Sequence, residues 1–144
     1  LKEEHELIIG EKTAEHIKRE VGCAIPHDKP ITATIKGRDS STGVPKQIAI
    51  TSVEIGQALA ATIRQILQSI QRTLSTTPPE LSGDLHTRGI VLCGGGSLLY
   101  GIDTLISETT KVDCVRDSEP LKCVARGAGL ALEDPFLLNR VALA

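Results

Sequence analysis

The residues Gly94-Gly95-Gly96-Ser97 follow the apolar run Ile90-Val91-Leu92-Cys93 and open onto a helical pattern. A strand that leads through glycines into a helix lets backbone approach a phosphate or a flat base, and the helix N-terminus favours an anion. The spacing is neither G-x-G-x-x-G nor G-x-x-x-x-G-K-[ST], so by itself it names no ligand. A tight turn that packs closely and binds nothing accounts for the pattern equally well. Glu15 and Lys18 are the second candidate: three apart, they share one face of a helix. A carboxylate there can accept hydrogen bonds from a ribose diol while a lysine stem lies along a base. The alternative is a solvated ion pair between neighbouring turns.

Other reactive side chains assemble nothing. His16 and His27 stand on polar ground, and Asp84-Leu85-His86 lacks a positioned nucleophile. Cys93, directly before the glycines, reads as strand packing more readily than as a nucleophile on a sharp turn. No nucleophile, base and orienting group come together, so no catalytic residue is assigned. The cysteines at 23, 93, 114 and 123 make no C-x-x-C pair, and no histidine stands at zinc-ligand spacing from two of them. No metal ligand is assigned either. Cys93, Cys114 and Cys123 fall in apolar stretches and are expected to be reduced, buried thiols of a cytosolic protein.

The elements that must hold these residues follow from periodicity. Gly10 to Gly22 reads as a helix through Ala14, Ile17 and Val21, with Gly22 at the place of a left-handed C-cap. Pro26 and Pro30 mark a connector. Ile31 to Lys36 and Gln47 to Thr51 alternate around a polar tip from Gly37 to Lys46, which predicts a β-hairpin. Thr51 and Glu54 have capping-box spacing, and Ile55, Leu59, Ile63, Ile66, Leu67, Ile70 and Leu74 stripe the long helix they open. Pro78-Pro79 stops it, and a short helical turn precedes Gly89. A buried strand, the helical pattern from Leu98 to Ile106, a strand over Val112 to Arg116 and a helix capped by Ser118 complete a βαβα order. Two parallel strands cannot cover themselves, so further strands are expected upstream. A chain without methionine that begins at Leu1 fits the same expectation of an excised segment.

Composition removes several function classes. Among 144 residues, 16 Lys and Arg face 18 Asp and Glu, leaving a net charge of −2 and no basic footprint for a nucleic-acid backbone. Tyr100 and Phe136 are the only aromatic residues, too few for the stacking platforms of single-strand binders. No apolar run approaches a membrane span and no signal peptide opens the chain. Hydrophobic content of 40% and charged content of 24% are those of a folded globular protein.

The residues also spell something more specific than their spacing. Ile9-Gly10-Glu11-Lys12-Thr13-Ala14-Glu15 with Ile17-Lys18, Ser41-Thr42-Gly43-Val44-Pro45 and Pro78-Pro79-Glu80-Leu81 resemble the bacterial actin-like MreB family. So do Arg88-Gly89-Ile90-Val91-Leu92-Cys93-Gly94-Gly95-Gly96-Ser97-Leu98-Leu99 and Glu119-Pro120-Leu121-Lys122-Cys123-Val124-Ala125-Arg126-Gly127. The likeness runs from about Ile8 to Leu132, in the order of the family's carboxy-terminal half.

That resemblance implies an α/β fold of the actin/Hsp70/hexokinase (ribonuclease H-like) class, present here in part as the second lobe. Residues 1–10 would be an upstream connector and 11–77 a small outer subdomain. Residues 78–132 would be part of the inner α/β subdomain, and 133–144 a variable tail. Glu15, His16, Ile17 and Lys18 would lie on the adenosine-contacting helix, with Gly94, Gly95, Gly96 and Ser97 as the glycine turn beside base and phosphates. The cofactor would be ATP or ADP with magnesium, the metal held mainly by the missing lobe. The family's two phosphate loops and its water-positioning residues have no counterpart in the chain, so the segment alone is expected to lack ATPase activity. Implied partners are copies of itself in a filament and the cell-wall elongation machinery, with membrane contact only through the missing lobe. The implied location is the cytoplasm, at the inner face of the membrane. His16 stands where the family often has arginine, and Cys93 where threonine is common. Rival readings are a plasmid-segregation or chaperone-like relative, a stand-alone phosphometabolite enzyme, and a pure interaction module.

Overall fold

The computed structural model describes residues 2–142. The chain opens with the short helix α1 (Lys2–His5) and the two-residue strand β1 (Leu7–Ile8). Helix α2 (Glu11–Val21), the hairpin strands β2 (Thr32–Asp39) and β3 (Pro45–Thr51) and the long helix α3 (Ser52–Thr76) follow. Next come α4 (Pro79–Arg88), β4 (Ile90–Leu92), a 3-10 turn over Gly95–Leu98, α5 (Ile102–Thr110) and β5 (Cys114–Arg116). Helices α6 (Cys123–Glu133) and α7 (Pro135–Ala142) close the described chain.

Alternation builds the first sheet. Ala33 pairs with Ile50 and Ile35 with Ile48 across the antiparallel β2–β3 ladder, which puts Ala33, Ile35 and Ile50 on one buried face. Ile17 and Val21 of α2 and Ile55 of α3 pack against that face. The stretch 1–10, expected as a connector, contributes β1, whose Leu7 and Ile8 pair with Asp39 and Arg38 and extend the sheet to order β1-β2-β3. Leu7 is 1% exposed, so β1 belongs to the core of the sheet.

The second sheet is the parallel pair β4–β5, with Ile90 opposite Cys114 and Leu92 opposite Arg116. Ile102 and Ile106 of α5 meet Ile63 of α3 in a core that also takes in Ile90, Leu92 and Leu99. Leu59 touches both cores. Helix α3, 25 residues and roughly 37 Å long, is therefore the beam shared by the two cores.

Several local expectations are corrected. Strand β4 is covered on one face only: Val91 and Val115, opposite each other, are 58% and 55% exposed, because among the described residues nothing lies over them. Cys93 accordingly lies outside the strand and is exposed, Cys114 and Cys123 are half-buried, and Cys23 is the buried thiol. Gly22 leaves α2 with extended dihedrals, φ −68° and ψ 140°, because the chain passes straight into a bridge between Cys23 and Tyr100. The hairpin tip is shorter than expected, since Asp39 gathers the amides of Ser41 and Thr42 at 3.0 Å each and lets the strands run on to Asp39 and Pro45. The helical pattern after the glycines is broken at Gly101, whose φ is 72°. Ser118 does not cap α6: Asp117 takes the Glu119 amide at 2.8 Å in a turn, and the helix begins only at Cys123. The short helical turn after Pro79 is a full ten-residue helix, closed by Gly89 at φ 69°.

Candidate functional site

A groove of about 780 Å³ lies along α2 where it crosses α3. Its lip is polar and comes from one face of α2, where Glu11, Glu15 and Lys18 recur at helical spacing. Its wall is apolar and comes from Ile9, Ile17 of α2 and Ile55, Ala58 and Leu59 of α3. An apolar slot with a few charged groups at its rim is the usual form of a small-ligand site. Glu15 and Lys18 are both exposed, and no ion pair joins them among the described residues. The two charges therefore face the groove unspent. Ile17 is 1% exposed and belongs to the core beneath, while His16 lies on open surface with Nε2 3.3 Å from Glu20.

The glycine turn has its own geometry. Gly94 adopts φ 79° and ψ 173°, a conformation that suits glycine, and donates its N–H to the Pro120 carbonyl at 2.7 Å. The Ser97 hydroxyl donates back to the Gly94 carbonyl at 2.7 Å, and Arg116 Nη1 donates to the Ser97 carbonyl at 3.3 Å. Ser97 is buried, whereas Gly95 and Gly96 are exposed. A Cβ built on Gly96 would meet nothing within 4 Å, and one on Gly95 only Leu121 Cδ2 at 3.6 Å. Packing among the described residues thus does not call for glycine at 95 and 96, whereas the turn itself calls for it at 94. At Gly95 and Gly96 the backbone is exposed, with open space beside it among the described residues.

Gly94 to Ser97 do not line the groove. The turn and α2 are tied instead through the residues that leave each of them. The Ala24 amide donates to the Tyr100 carbonyl at 2.7 Å, Cys23 and Tyr100 form a parallel bridge, and a Cβ on Gly22 would lie 3.2 Å from Leu99 Cδ1. Beyond Pro120, Arg126 pairs with Asp117 at 2.6 Å and Lys122 with Glu119 at 2.6 Å. The Glu119 amide, with Arg126 beside it, holds the Asp117 carboxyl below the usual range. A smaller cleft of about 360 Å³ between α4 and the α5–β5 turn includes His86, Lys111 and Asp113, without a nucleophile and base in contact.

The sequence profile of the MreB/Mbl protein family matches residues 1–140. The chain belongs to the MreB/Mbl family. The cell shape-determining protein Mbl of Bacillus cereus is 43% identical over 143 residues, which are 99% of this chain and 43% of that protein. The cell shape-determining protein MreB of Escherichia coli K12 is 44% identical over 126 residues, 88% of this chain and 36% of that one. The chain thus spans about two fifths of the curated relatives it matches. Among solved structures, MreB5 of Spiroplasma citri bound to AMPPNP superposes with a TM-score of 0.87 at 31% identity, over 98% of this chain and 42% of that one. A MamK double helical filament subunit reaches 0.75 at 23% identity, over 92% of this chain and 41% of that one, a likeness of fold.

This MreB/Mbl chain therefore has the actin-like α/β fold in part, and the actin-like cytoskeletal reading stands ahead of the metabolite-enzyme and interaction-module rivals. Glu15 and Lys18 are legible in the sequence by charge and spacing, whereas α3 reads there purely as core. Ile55, Ala58 and Leu59 were missed as groove wall, although alanine beside a bulky stripe is a signal of a helix face left room for something else.

Proposed function

We propose that this MreB/Mbl segment supplies the nucleoside side of an ATP-binding actin-like protein that assembles with copies of itself into filaments and directs cell shape. The observation that carries this reading is the groove on α2, where Glu15 and Lys18, in no ion pair among the described residues, stand above an apolar wall. Glu15 would accept from ribose hydroxyls, Lys18 would lie along the base, and Ala58 and Leu59 would back the sugar. The bare amides of Gly95 and Gly96 suit a base edge or phosphate oxygen, as helix N-terminal amides do. Ile17 would act through the wall it builds, and His16 from the rim. Likeness to an MreB5 structure bound to AMPPNP supports the assignment.

Among the described residues no three His, Cys, Asp or Glu side chains lie together as a metal site. Magnesium would be held by other parts of the protein, and no step of this reading runs through it here. The open face at Val91 and Val115, and the exposed Leu121 and Val124 at 68% and 76%, would be covered by the remaining lobe. No described helix is long and apolar enough to cross a membrane. Wall-synthesis partners, a cytoplasmic location and contact with the inner membrane belong to the same proposal for the whole protein.

The test is AMPPNP titration calorimetry on protein expressed from the complete reading frame. Glu15→Ala is expected to weaken binding about tenfold, the worth of a lost hydrogen bond to a charged group. Unchanged affinity removes Glu15 from the site. The 144-residue chain alone is expected to show no magnesium-dependent ATP turnover, and turnover lost in Gly95→Asp would reverse the assignment of chemistry to the other lobe.

A further inference from the structure

The groove residues and the glycine turn sit on different lobes, and one feature outside both sites spans the seam between them. His27, in the connector after α2, stacks on Tyr100, three residues past Ser97, with ring centroids 3.8 Å apart and planes 25° from parallel. The backbone beneath the rings is already joined by the Ala24 to Tyr100 hydrogen bond at 2.7 Å. Beside it, a Cβ on Gly101 would collide with Ile25, so the two segments of the seam are in close contact there too.

This stack is poorly placed to be core. Tyr100 is 46% exposed and His27 half-buried, and neither belongs to either hydrophobic cluster. A surface stack adds little burial. What it fixes is geometry: a stacked ring pair holds both separation and angle, which one backbone hydrogen bond does not. Lys18 lies one helical turn before Gly22, whose amide donates to the Lys18 carbonyl at 3.1 Å, so a swing of the connector moves the Lys18 end of α2.

We propose that the His27–Tyr100 stack is a positioning latch that sets the glycine turn against α2, so that Glu15, Lys18 and the Gly95–Gly96 backbone reach one bound nucleotide. The inference rests on the nucleotide reading above. Tyr100 and His27 are positioning residues, without contact to the ligand themselves.

The experiment uses protein from the complete reading frame in four forms: wild type, Tyr100→Ala, Tyr100→Phe and His27→Ala. AMPPNP affinity, thermal midpoint and hydrogen exchange of the peptide covering Gly94 to Leu98 are measured on each, the exchange without nucleotide. Tyr100→Ala and His27→Ala are expected to weaken AMPPNP roughly fivefold, within the worth of an aromatic pair. Both should speed exchange in the glycine turn while the midpoint holds. Tyr100→Phe, which keeps the ring and loses only the hydroxyl, should restore wild-type affinity and exchange. If Tyr100→Ala also lowers the midpoint, His27→Ala decides, because it leaves Tyr100 and its backbone bond in place. Wild-type affinity and exchange in His27→Ala overturn the latch. Absence of AMPPNP binding by the wild type overturns the nucleotide reading instead. Exchange then decides the latch alone: faster exchange in the two alanine variants supports it, and unchanged exchange removes it.

Discussion

The Thr51 hydroxyl meets the Glu54 carboxylate at 2.6 Å, and the other oxygen of that carboxylate lies 2.7 Å from His5 Nε2. One glutamate thus closes the capping box of α3 and pins α1 to the same helix start, and α3 carries the groove wall. Thr51→Ala is expected to cost about 1 kcal/mol of stability in urea unfolding. Bonds from the Thr51 hydroxyl and amide, then His5, hold the Glu54 carboxyl below the usual glutamate range. Its folded value is lower than its unfolded one, so its contribution is complete above the ordinary range and is lost as pH falls through the folded value. Stability measured from neutral pH downward should therefore drop more steeply for wild type than for Thr51→Ala. Parallel acid limbs would show that the box carries no linked proton.

Two glycines six residues apart, Gly83 and Gly89, should respond in opposite directions. Gly83 sits inside α4 with open space where a Cβ would go, so Gly83→Ala should stabilise by about 0.5–1 kcal/mol. Gly89 has φ 69° and ψ −161°, and a Cβ there would come 2.5 Å from the Asp113 carbonyl oxygen. That oxygen accepts the Ile90 amide at 2.7 Å, the first bond of the parallel pair. Gly89→Ala should cost on the order of 2 kcal/mol through strain alone, with the clash in addition. Urea midpoints moving the same way in both variants would contradict this.

Elements whose signal is local were legible in the sequence. The Thr51–Glu54 box, the Ala33/Ile35/Ile50 face and most of the α3 stripe need only a period and a cap, and they stand in the structure, Ile66 excepted, which is 45% exposed and outside both cores. Errors fell where the outcome depends on a distant neighbour. Leu1 to Gly10 carries too short an apolar run to announce β1, which exists because Asp39 and Arg38 offer an edge. Cys93 looked buried because Ile90 to Leu92 are apolar, yet apolar composition records what a strand is built to meet, and the Val91 face meets nothing among the described residues. The groove was half legible for the same reason: Glu15 and Lys18 announce themselves by charge and spacing, whereas Ala58 becomes a wall only once α2 crosses α3.

Asp39 should behave as the anchor of the hairpin tip. Its Oδ1 accepts from the Ser41 amide and hydroxyl and the Thr42 amide at 3.0, 2.6 and 3.0 Å, and its Oδ2 lies 3.0 Å from Lys46 Nζ. The Ser41 hydroxyl first, then the Thr42 amide and Lys46, hold the carboxyl far below the ordinary aspartate range. The folded value being depressed, the tip is held together above that range and released as pH falls through the folded value. Carboxyl carbon NMR should find Asp39 still ionised where an ordinary aspartate is half protonated. Asp39→Asn should speed amide exchange at Ser41 and Thr42 and leave α3 untouched. An Asp39 that titrates with the bulk of the carboxylates would refute the anchor.

The four thiols should react in an order set by exposure and charge, and that order reads out the lobes separately. Cys93 is exposed at the mouth of the glycine turn and should take N-ethylmaleimide first at neutral pH. Cys123 is half-buried, and desolvation, then Asp117 and the neighbouring Cys93 thiol, push its own thiol up, so less of it is present as the reactive thiolate. Cys114 is pushed up by burial and Asp103 and should follow. Cys23 is 4% exposed, is raised by burial and donates its S–H to the Ser52 carbonyl at 3.3 Å. Its modification requires the N-terminal end of α3 to part from the connector, because Gly56 leaves no slack beside the sulfur. Peptide mass mapping over time should therefore show Cys93 labelled well before Cys23, and Cys23 labelled at a rate that falls in step with added stability. Cys23 labelled as fast as Cys93 in the native protein would mean that the seam between the connector and α3 is open in solution.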